Sequence, residues 1–160
     1  MMSHDETGSL GFVLNQAADD ITLGSSVQNL PENIANSELA ASTVFIGGPV
    51  QQDHGFILHS SDWAGEATIS PPNIPFSFSQ SLDALYACAE NKGPEKSKFL
   101  LGYSGWQAGQ LESEIRQNAW LVVPADPLMV FNPNHATLYE TVAKRAGIDL
   151  AHLSSSGGSA

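Results

Sequence analysis

Ser104, Asp126 and His135 occur in the chain order of the serine, acid and histidine of a hydrolase triad. Ser104 also lies between an apolar run and a segment with helical spacing, which is where such enzymes place their nucleophile. The G-x-S-x-G pattern nevertheless fails at its last position, where Trp106 stands instead of glycine. We therefore predict that the protein is not an enzyme and assign no catalytic residues, with a Ser104/Asp126/His135 hydrolase as the minority hypothesis.

Glycines follow two apolar runs, at Gly47-Gly48 and again at residues 102–109. The second group precedes a predicted helix, whose N-terminus is a suitable place for an anion. Alternatively, these glycines only allow Trp106 and Trp120 to pack closely, and both interpretations remain open. Phosphate-binding glycine patterns are absent, so the sequence predicts no cofactor. The candidate binding pocket comprises Gly47, Gly48, Gly102, Tyr103, Ser104, Gly105, Trp106, Gly109 and Gln110.

The histidines and the single cysteine do not form a metal-binding pattern. His54 and His59 are five positions apart in a predicted strand, so they point to opposite faces and cannot chelate one ion from that strand. Cys88 lies between Leu85 and Ala89 on a predicted helix, where a buried small side chain is expected. We predict no metal site and no internal disulfide.

The net charge of −11 is unevenly distributed along the chain. The first 91 residues contain eleven acidic residues and neither Lys nor Arg, and the remaining 69 contain six acidic and six basic residues. Such an acidic protein repels a nucleic-acid backbone, so we expect no direct DNA binding. Lys92, Lys96 and Lys98 surround a glycine-proline turn, where a small anionic ligand or an acidic protein segment is a more plausible partner.

Residues 98–120 form the predicted centre of the fold. Phe99, Leu100 and Leu101 are continuous apolar residues, as in a strand that is covered on both faces. The glycines after them indicate a loop, whose shape at Gly105 and Trp106 we expect to matter more than the Ser104 hydroxyl. Leu111 and Ile115 then have helical spacing, and Arg116 follows Glu112 by four residues.

The other elements are short. Helices are predicted from Thr22 to Leu30, from Ser79 or Ser81 to Ala89, from Asn134 or Thr137 to Ala146 with Gly147 as the stop, and from Asp149 to Leu153. A turn at residues 4–8 precedes the first strand, so the chain begins inside a hairpin. Strands are predicted at residues 10–14, 44–46, 56–58, 67–69, 120–123 and 128–131, with that at 67–69 on a sheet edge. We expect Leu82 to face inward and Glu140 to pair with Lys144.

Several motifs together resemble the YqgE/AlgH family of bacterial proteins. The central block reads GYSGWQAGQLESEI and is followed by NAW. Further blocks in the same order are GSLGFVLNQ, ITLG, FIGGPVQQDHGFILHS, KGPEKSKFLLGYSGW and NAWLVVPADPLMVF. Because these blocks cover most of the chain, the match is far more specific than one glycine motif.

The resemblance implies an α+β fold with a mixed, partly barrel-like sheet and three main helices. We assign residues 1–153 to one AlgH-like domain and residues 154–160 to a disordered tail. The family often has alanine where Ser104 stands, which is a further reason against a nucleophile. Its members usually have one more apolar strand before the counterpart of His4, so we expect a missing core strand here.

The resemblance also sets the functional expectation. Family members are regarded as transcriptional regulators, and their biochemical activity is not established. We expect a regulatory protein that acts on transcription indirectly, through an unknown protein or a small anionic ligand. A small-molecule binder or hydrolase using residues 102–109 is the alternative. No apolar run reaches the roughly 20 residues of a membrane span, and the N-terminus lacks a secretion signal, so a cytoplasmic location without membrane contact is expected.

Overall fold

The computed structural model describes residues 1–28 and 30–149. Within these residues the chain has an α+β fold with eight strands and six α-helices. The strands are β1 (Ser3–Asp5), β2 (Gly8–Gly11), β3 (Ala17–Thr22), β4 (Thr43–Ile46), β5 (Val50–Ser60), β6 (Thr68–Ile69), β7 (Phe76–Ser79) and β8 (Ser97–Gln107). The helices are α1 (Leu23–Ser26), α2 (Glu32–Ala35), α3 (Leu82–Ala89), α4 (Gln110–Arg116), α5 (Pro127–Val130) and α6 (Leu138–Arg145), with a 3-10 helix at Glu38–Ala41. The helices α3, α4 and α6 are the three longest.

Strand β8 is the centre of the sheet, as the sequence predicts for residues 98–101. One of its edges pairs with β5 in antiparallel orientation, with Phe56 opposite Leu100. The other edge pairs first with β4, in parallel, and then with β2, in antiparallel orientation, where Gly11 lies opposite Ser104. Beyond these neighbours, β1 extends the sheet from β2, and β7 and β6 extend it from β5. The resulting mixed sheet curls into a half-barrel.

The sheet separates two apolar cores. One core contains Met2, Phe45, Phe56, Leu58, Phe76, Phe78, Leu100 and Val130. The other lies beneath the helices α1, α2 and α3 and contains Leu23, Ile34, Val44, Ile57, Ala84, Leu85 and Phe99. Because side chains alternate along a strand, Phe99 and Leu100 of β8 supply one core each. The continuous apolar run in this strand therefore reflects burial on both faces.

The glycine stretch after Leu101 is strand rather than loop. β8 continues through Gly102 and Gly105 to Gln107, because the backbone there pairs with β2 and with Val50 of β5. Glycine weakens a strand by its own preference, but ladder hydrogen bonds to neighbours override that preference. The predicted loop is therefore wrong.

Both strands predicted after residue 119 are also wrong. Residues 128–131 belong mostly to α5, which begins where the Asp126 carboxylate accepts a hydrogen bond from the Leu128 N–H at 2.8 Å. An apolar run this short does not distinguish strand from helix by periodicity, and Asp126-Pro127 is a helix-start signal. Residues 120–123 form neither strand nor helix.

Other predicted elements are found close to their expected positions, except that β2 ends at Gly11 rather than at residue 14 and α1 ends at Ser26 rather than at Leu30. The chain begins in the β1–β2 hairpin, β6 lies at a sheet edge, and α6 stops before Gly147, whose φ is +74°. The pattern does not predict β3, which is polar, or β7, whose serines are buried among its phenylalanines. Leu82 is exposed rather than inward-facing.

The expected final turn at Asp149 to Leu153 and the expected disordered tail at residues 154–160 extend outside the described residues. No helix in residues 1–28 and 30–149 is long and apolar enough to cross a membrane.

Candidate functional site

Three of the nine predicted pocket residues, Gly47, Gly48 and Gly102, allow the backbone of residues 47–48 to pack closely against the backbone of β8. A Cβ atom at Gly48 would lie 2.2 Å from the Tyr103 carbonyl carbon, and one at Gly47 would lie 2.3 Å from the Gly102 oxygen. Gly102 has a φ of +68°, and its Cβ would lie 2.7 Å from the Gly48 oxygen. Residues 47–48 can therefore cross β8 at this point only without side chains. For these glycines the packing interpretation fits better than a pocket.

The remaining predicted residues lie farther along β8 and at the start of α4. The Tyr103 ring packs edge-on against Phe56, with ring centres 5.8 Å apart. Gly109, with a φ of +75°, precedes α4, and the Gln110 side chain accepts a hydrogen bond from the Gln107 N–H at 3.0 Å. The carboxylate of Glu112 lies in the first turn of α4, where it disfavours the anion that the sequence suggests.

Ser104 and Trp106 do line a cavity, which we call the tryptophan groove. It has a volume of about 500 Å³ and lies between the β2 end of the sheet, α4, α6 and the irregular segment 120–123. Its lining is predominantly apolar and comprises Met1, residues 11–15, Ser104, Trp106, Leu111, Ile115, residues 120–123, Leu138, Tyr139 and Val142. This volume and lining are typical of a binding cleft.

Glu114 holds the two tryptophans of the groove together. Its carboxylate accepts hydrogen bonds from Trp120 Nε1 at 2.6 Å, from Gln110 Nε2 at 2.9 Å and from Trp106 Nε1 at 3.0 Å. These three hydrogen bonds, that from Trp120 foremost, lower the pKa of Glu114 below its ordinary value. The two indole rings meet edge-to-face, with centres 5.8 Å apart. Segment 120–123 is thus fixed against α4 without belonging to the sheet.

The rim of the groove exposes large apolar side chains. Val122 is 74% exposed, Tyr139 59% and Trp120 47%. Leu121 on the same segment is exposed as well. A contiguous apolar rim of this kind is expected where another molecule binds.

The sequence reasoning finds Trp106 but not the rim. Residues 120–123 are predicted as a strand, which gives no indication that they form an exposed, irregular segment at the rim of a groove. One sequence feature could have indicated the rim. Tyr139 is an aromatic residue next to Glu140, which is on the outer side of a predicted helix.

The three residues of the hydrolase hypothesis have separate surroundings. The Ser104 hydroxyl donates to the Gly47 carbonyl at 3.5 Å. Asp126 caps α5 and pairs with Arg145 at 2.8 Å, and the His135 ring packs against Phe45. None of the hydrogen bonds among the described residues joins two members of the triad. The geometry therefore does not support a catalytic triad of Ser104, Asp126 and His135.

The histidines of β5 and the cysteine also have separate environments. His59 is fully buried and hydrogen-bonds to the Ser60 carbonyl and to Ser79 Oγ, whereas His54 is exposed beside Asp53. Burial raises the pKa of the half-buried Cys88 thiol. In the part of the chain that the structure describes, no group of three His, Cys, Asp or Glu side chains is arranged to hold a metal ion.

The ion pairs of the basic side chains differ from the sequence expectation. The predicted helical pairs Glu112–Arg116 and Glu140–Lys144 are not among the ion pairs of residues 1–28 and 30–149. Glu112 instead lies 3.6 Å from His4.

The three lysines near the glycine-proline turn do not form one exposed cluster. Lys92 is exposed and pairs with Glu90 at 2.9 Å. Lys98 is only 7% exposed, and its ammonium group lies against the carbonyls of Leu14 and Asn132. The sequence misses this burial because a lysine is assigned to the surface by default.

Comparisons with known proteins give one consistent family. The family model described as AlgH-like matches residues 1–151. The AlgH protein of Pseudomonas aeruginosa, a UPF0301 protein, is 37% identical over 161 residues, which cover 100% of this chain and 84% of that protein. A UPF0301 protein of Bordetella avium is 41% identical over 157 residues, which cover 98% of this chain and 78% of the relative.

Two solved structures resemble this fold. The solution structure of AlgH from Pseudomonas aeruginosa has a TM-score of 0.73 at 37% sequence identity and covers 98% of this chain and 82% of that one. A crystal structure of protein DIP2367 from Corynebacterium diphtheriae has a TM-score of 0.66 at 22% identity, covering 89% of this chain and 73% of that one. The second likeness concerns the fold alone.

Proposed function

The chain belongs to the AlgH-like family, and we propose that it is a non-catalytic binding protein whose tryptophan groove receives an apolar segment of a partner protein. The single observation that carries this proposal is the groove itself, an apolar cleft whose rim leaves Val122 and Tyr139 largely exposed. Apolar surface exposed to water is unfavourable in free energy. A large exposed apolar patch is therefore expected at a site where a partner protein binds.

The shape of the groove favours a protein segment over an enclosed small molecule. Small-molecule sites usually surround most of the ligand, and the apolar residues are then buried in the walls. Here the rim residues Trp120, Leu121 and Val122 project from an irregular segment and remain accessible. An amphipathic segment that lies across such a groove buries both the floor and the rim.

The charged residues around the groove indicate which charges the partner segment carries beside its apolar residues. The floor of the groove includes residues 11–15, which come from the part of the chain without Lys or Arg. Helix α4 adds two acidic residues, Glu112 and Glu114, against one basic residue, Arg116, and it is Glu114 that contacts both tryptophans of the groove. A partner segment with Lys or Arg next to its apolar residues is therefore favoured electrostatically over an acidic one.

The same charge distribution supports an indirect role in regulation. Of the six basic residues, Lys98 is buried and Lys92 and Arg145 are ion-paired, which leaves few cations for phosphate contacts. DNA-binding proteins normally neutralise several phosphates with Lys and Arg. Any effect on transcription is then exerted through a protein or a small molecule rather than through DNA contact.

A peptide-display selection on the purified protein tests the groove. We expect selected peptides to combine apolar residues with Lys or Arg, and to bind Val122→Asp at least about tenfold more weakly than the unchanged protein. Ile69→Asp is the matched control, because Ile69 is also exposed but lies on β6 at the far end of the sheet.

Equal binding to both variants would contradict the groove as the binding surface. Native mass spectrometry supplies the alternative outcome, since a small molecule that is retained by the unchanged protein and lost in Val122→Asp would favour a small-molecule binder. A titration with random-sequence duplex at low salt should show no binding, and a salt-dependent shift would overturn the indirect role.

A further inference from the structure

A second cavity, of about 400 Å³, lies at the other end of β8. It is bounded by β4, by the start of β8 and by residues 131–133 and 135. Lys98 lines it and is 93% buried, since only 7% of the residue is exposed. Because Lys98 and Leu100 share one face of β8, the lysine occupies a position that would otherwise extend the apolar core.

Among the residues that the structure describes, no carboxylate forms an ion pair with the ammonium group of Lys98. Its Nζ donates to the Asn132 carbonyl at 3.3 Å and to the Leu14 carbonyl at 3.4 Å, and it lies 4.2 Å from the centre of the Phe45 ring. The ion pairs of residues 1–28 and 30–149 do not include it. A buried charge is costly unless it is paired, and an ammonium has three N–H donors, of which these carbonyls use two.

The rest of the lining suits an anion. Ser42 and Thr43 supply hydroxyl groups, and His135 supplies a ring nitrogen. Phe45 and Phe131 form apolar walls, and the His135 ring packs edge-on against Phe45 with centres 5.2 Å apart. Within residues 1–28 and 30–149, the cavity lining contains no Asp or Glu, although the protein as a whole carries a net charge of −11.

We propose that this cavity binds a small organic anion, with its carboxylate or phosphate group on Lys98 and its body against Phe45 and Phe131. The charge of the anion supplies the missing counter-ion, and Ser42, Thr43 or His135 donates to its remaining oxygens. The volume of about 400 Å³ accommodates a compact aromatic or branched organic acid. This site shares no lining residue with the tryptophan groove. A negative result for one proposal therefore does not contradict the other.

The protonation of Lys98 provides a direct readout in the unchanged protein. Burial lowers the pKa of Lys98, because it disfavours the charged form. A bound anion stabilises that charged form and therefore raises the pKa again. An NMR titration of the Lys98 side chain, with and without the anion, measures this shift.

Benzoate, phenyl phosphate and neutral benzamide are suitable probes, each titrated at constant ionic strength. We expect one or both anions to shift the NMR signals of Thr43, Lys98 and His135 and to raise the pKa of Lys98, while benzamide does neither. The two anions distinguish a carboxylate from a phosphate as the recognised group. Lys98→Met, which keeps the apolar part of the side chain, should weaken binding at least about tenfold. Lys92→Met is the matched control, since it removes one exposed positive charge elsewhere.

Three outcomes would overturn the proposal. They are equal binding of benzoate and benzamide, equal binding to Lys98→Met and Lys92→Met, and the absence of any shift at Lys98 with either anion at millimolar concentration. Should Lys98→Met not fold, the pKa measurement on the unchanged protein decides the question alone.

Discussion

The two halves of β8 differ in their surroundings although one strand runs through both. Residues 98–100 are buried, and Phe99 and Leu100 lie between β4 and β5 and supply one apolar core each. Residues 103–107 are half-buried or exposed, residues 104–107 of them pair with β2, and two of them line the tryptophan groove. Gly102, with its φ of +68°, lies at the division. Changes at Phe99 and Leu100 should therefore act on folding, whereas a change at Trp106 should act on binding at the tryptophan groove.

The largest effect is expected at the division itself. Gly102→Ala introduces a Cβ 2.7 Å from the Gly48 oxygen and 2.8 Å from the Val50 oxygen, at a backbone conformation that alanine adopts with strain. The free energy of unfolding should fall by about 2–5 kcal/mol, measured by urea denaturation.

Gly105→Ala is the control for that change. Its φ is not positive, and its Cβ would meet the Tyr103 ring at 3.4 Å and a Val50 methyl group at 4.0 Å, which are ordinary contacts, so the loss should stay below about 1 kcal/mol. Equal losses for the two variants would remove the distinction between the halves of β8. The sequence-based emphasis on Gly105 is corrected accordingly, because the conformational demand lies at Gly102 and Gly48.

A smaller and pH-dependent effect is expected where the second half meets segment 120–123. The fold lowers the pKa of Glu114 below its ordinary value of 4.5, because Trp120, Gln110 and Trp106 donate to the carboxylate. The stabilisation by Glu114 is thus fully present above pH 4.5 and is lost as the pH falls through the lower pKa of the folded state. The Nε1–H NMR signal of Trp120 should shift over this acidic range.

In Glu114→Gln that acid transition should be absent, whereas Glu112→Gln on the same helix should retain it. Far-UV circular dichroism on the same samples separates the local change from global acid unfolding. An unchanged transition in Glu114→Gln would show that another group controls the position of Trp120.

The smallest effect is expected at Ser104. Its hydroxyl makes a long hydrogen bond of 3.5 Å to the Gly47 carbonyl, so Ser104→Ala should change the free energy of unfolding by less than about 0.5 kcal/mol. Peptide binding at the groove should be unchanged. If a hydrolytic activity is measured and then lost in Ser104→Ala at constant melting temperature, the minority enzyme hypothesis would replace the binding function.

Sequence reasoning succeeds where the signal is local. The apolar run at residues 99–101 and the start of α3 after Ser81, one of the two predicted starts, are visible in a few neighbouring residues, although the Ser81 side chain makes no capping hydrogen bond. The end of β8 at Gln107 is missed because its partner, β2, lies at the other end of the chain. When a strand is stabilised by pairing with a segment far away in the sequence, its own residues show little strand preference.

The candidate site shows the same limit in another form. Trp106 is among the nine predicted pocket residues, because it lies in the glycine stretch before a predicted helix. The rim at Val122 and Tyr139 is not predicted, because exposure depends on which elements leave a surface uncovered. Lys98 is the clearest case, since its burial arises only when residues 14 and 132 meet over it.

The arrangement around β8 also determines the order in which this chain can acquire its structure during translation. Among the described residues, the strands before β8 form three separate pieces, namely β1 with β2, β3 with β4, and β5 with β7 and β6. Only β8 hydrogen-bonds to all three. A nascent chain therefore has unpaired strand edges until residues 97–107 leave the ribosome, and closure then requires contacts of long sequence separation, which form slowly. Ribosome-associated chaperones are most needed in that interval.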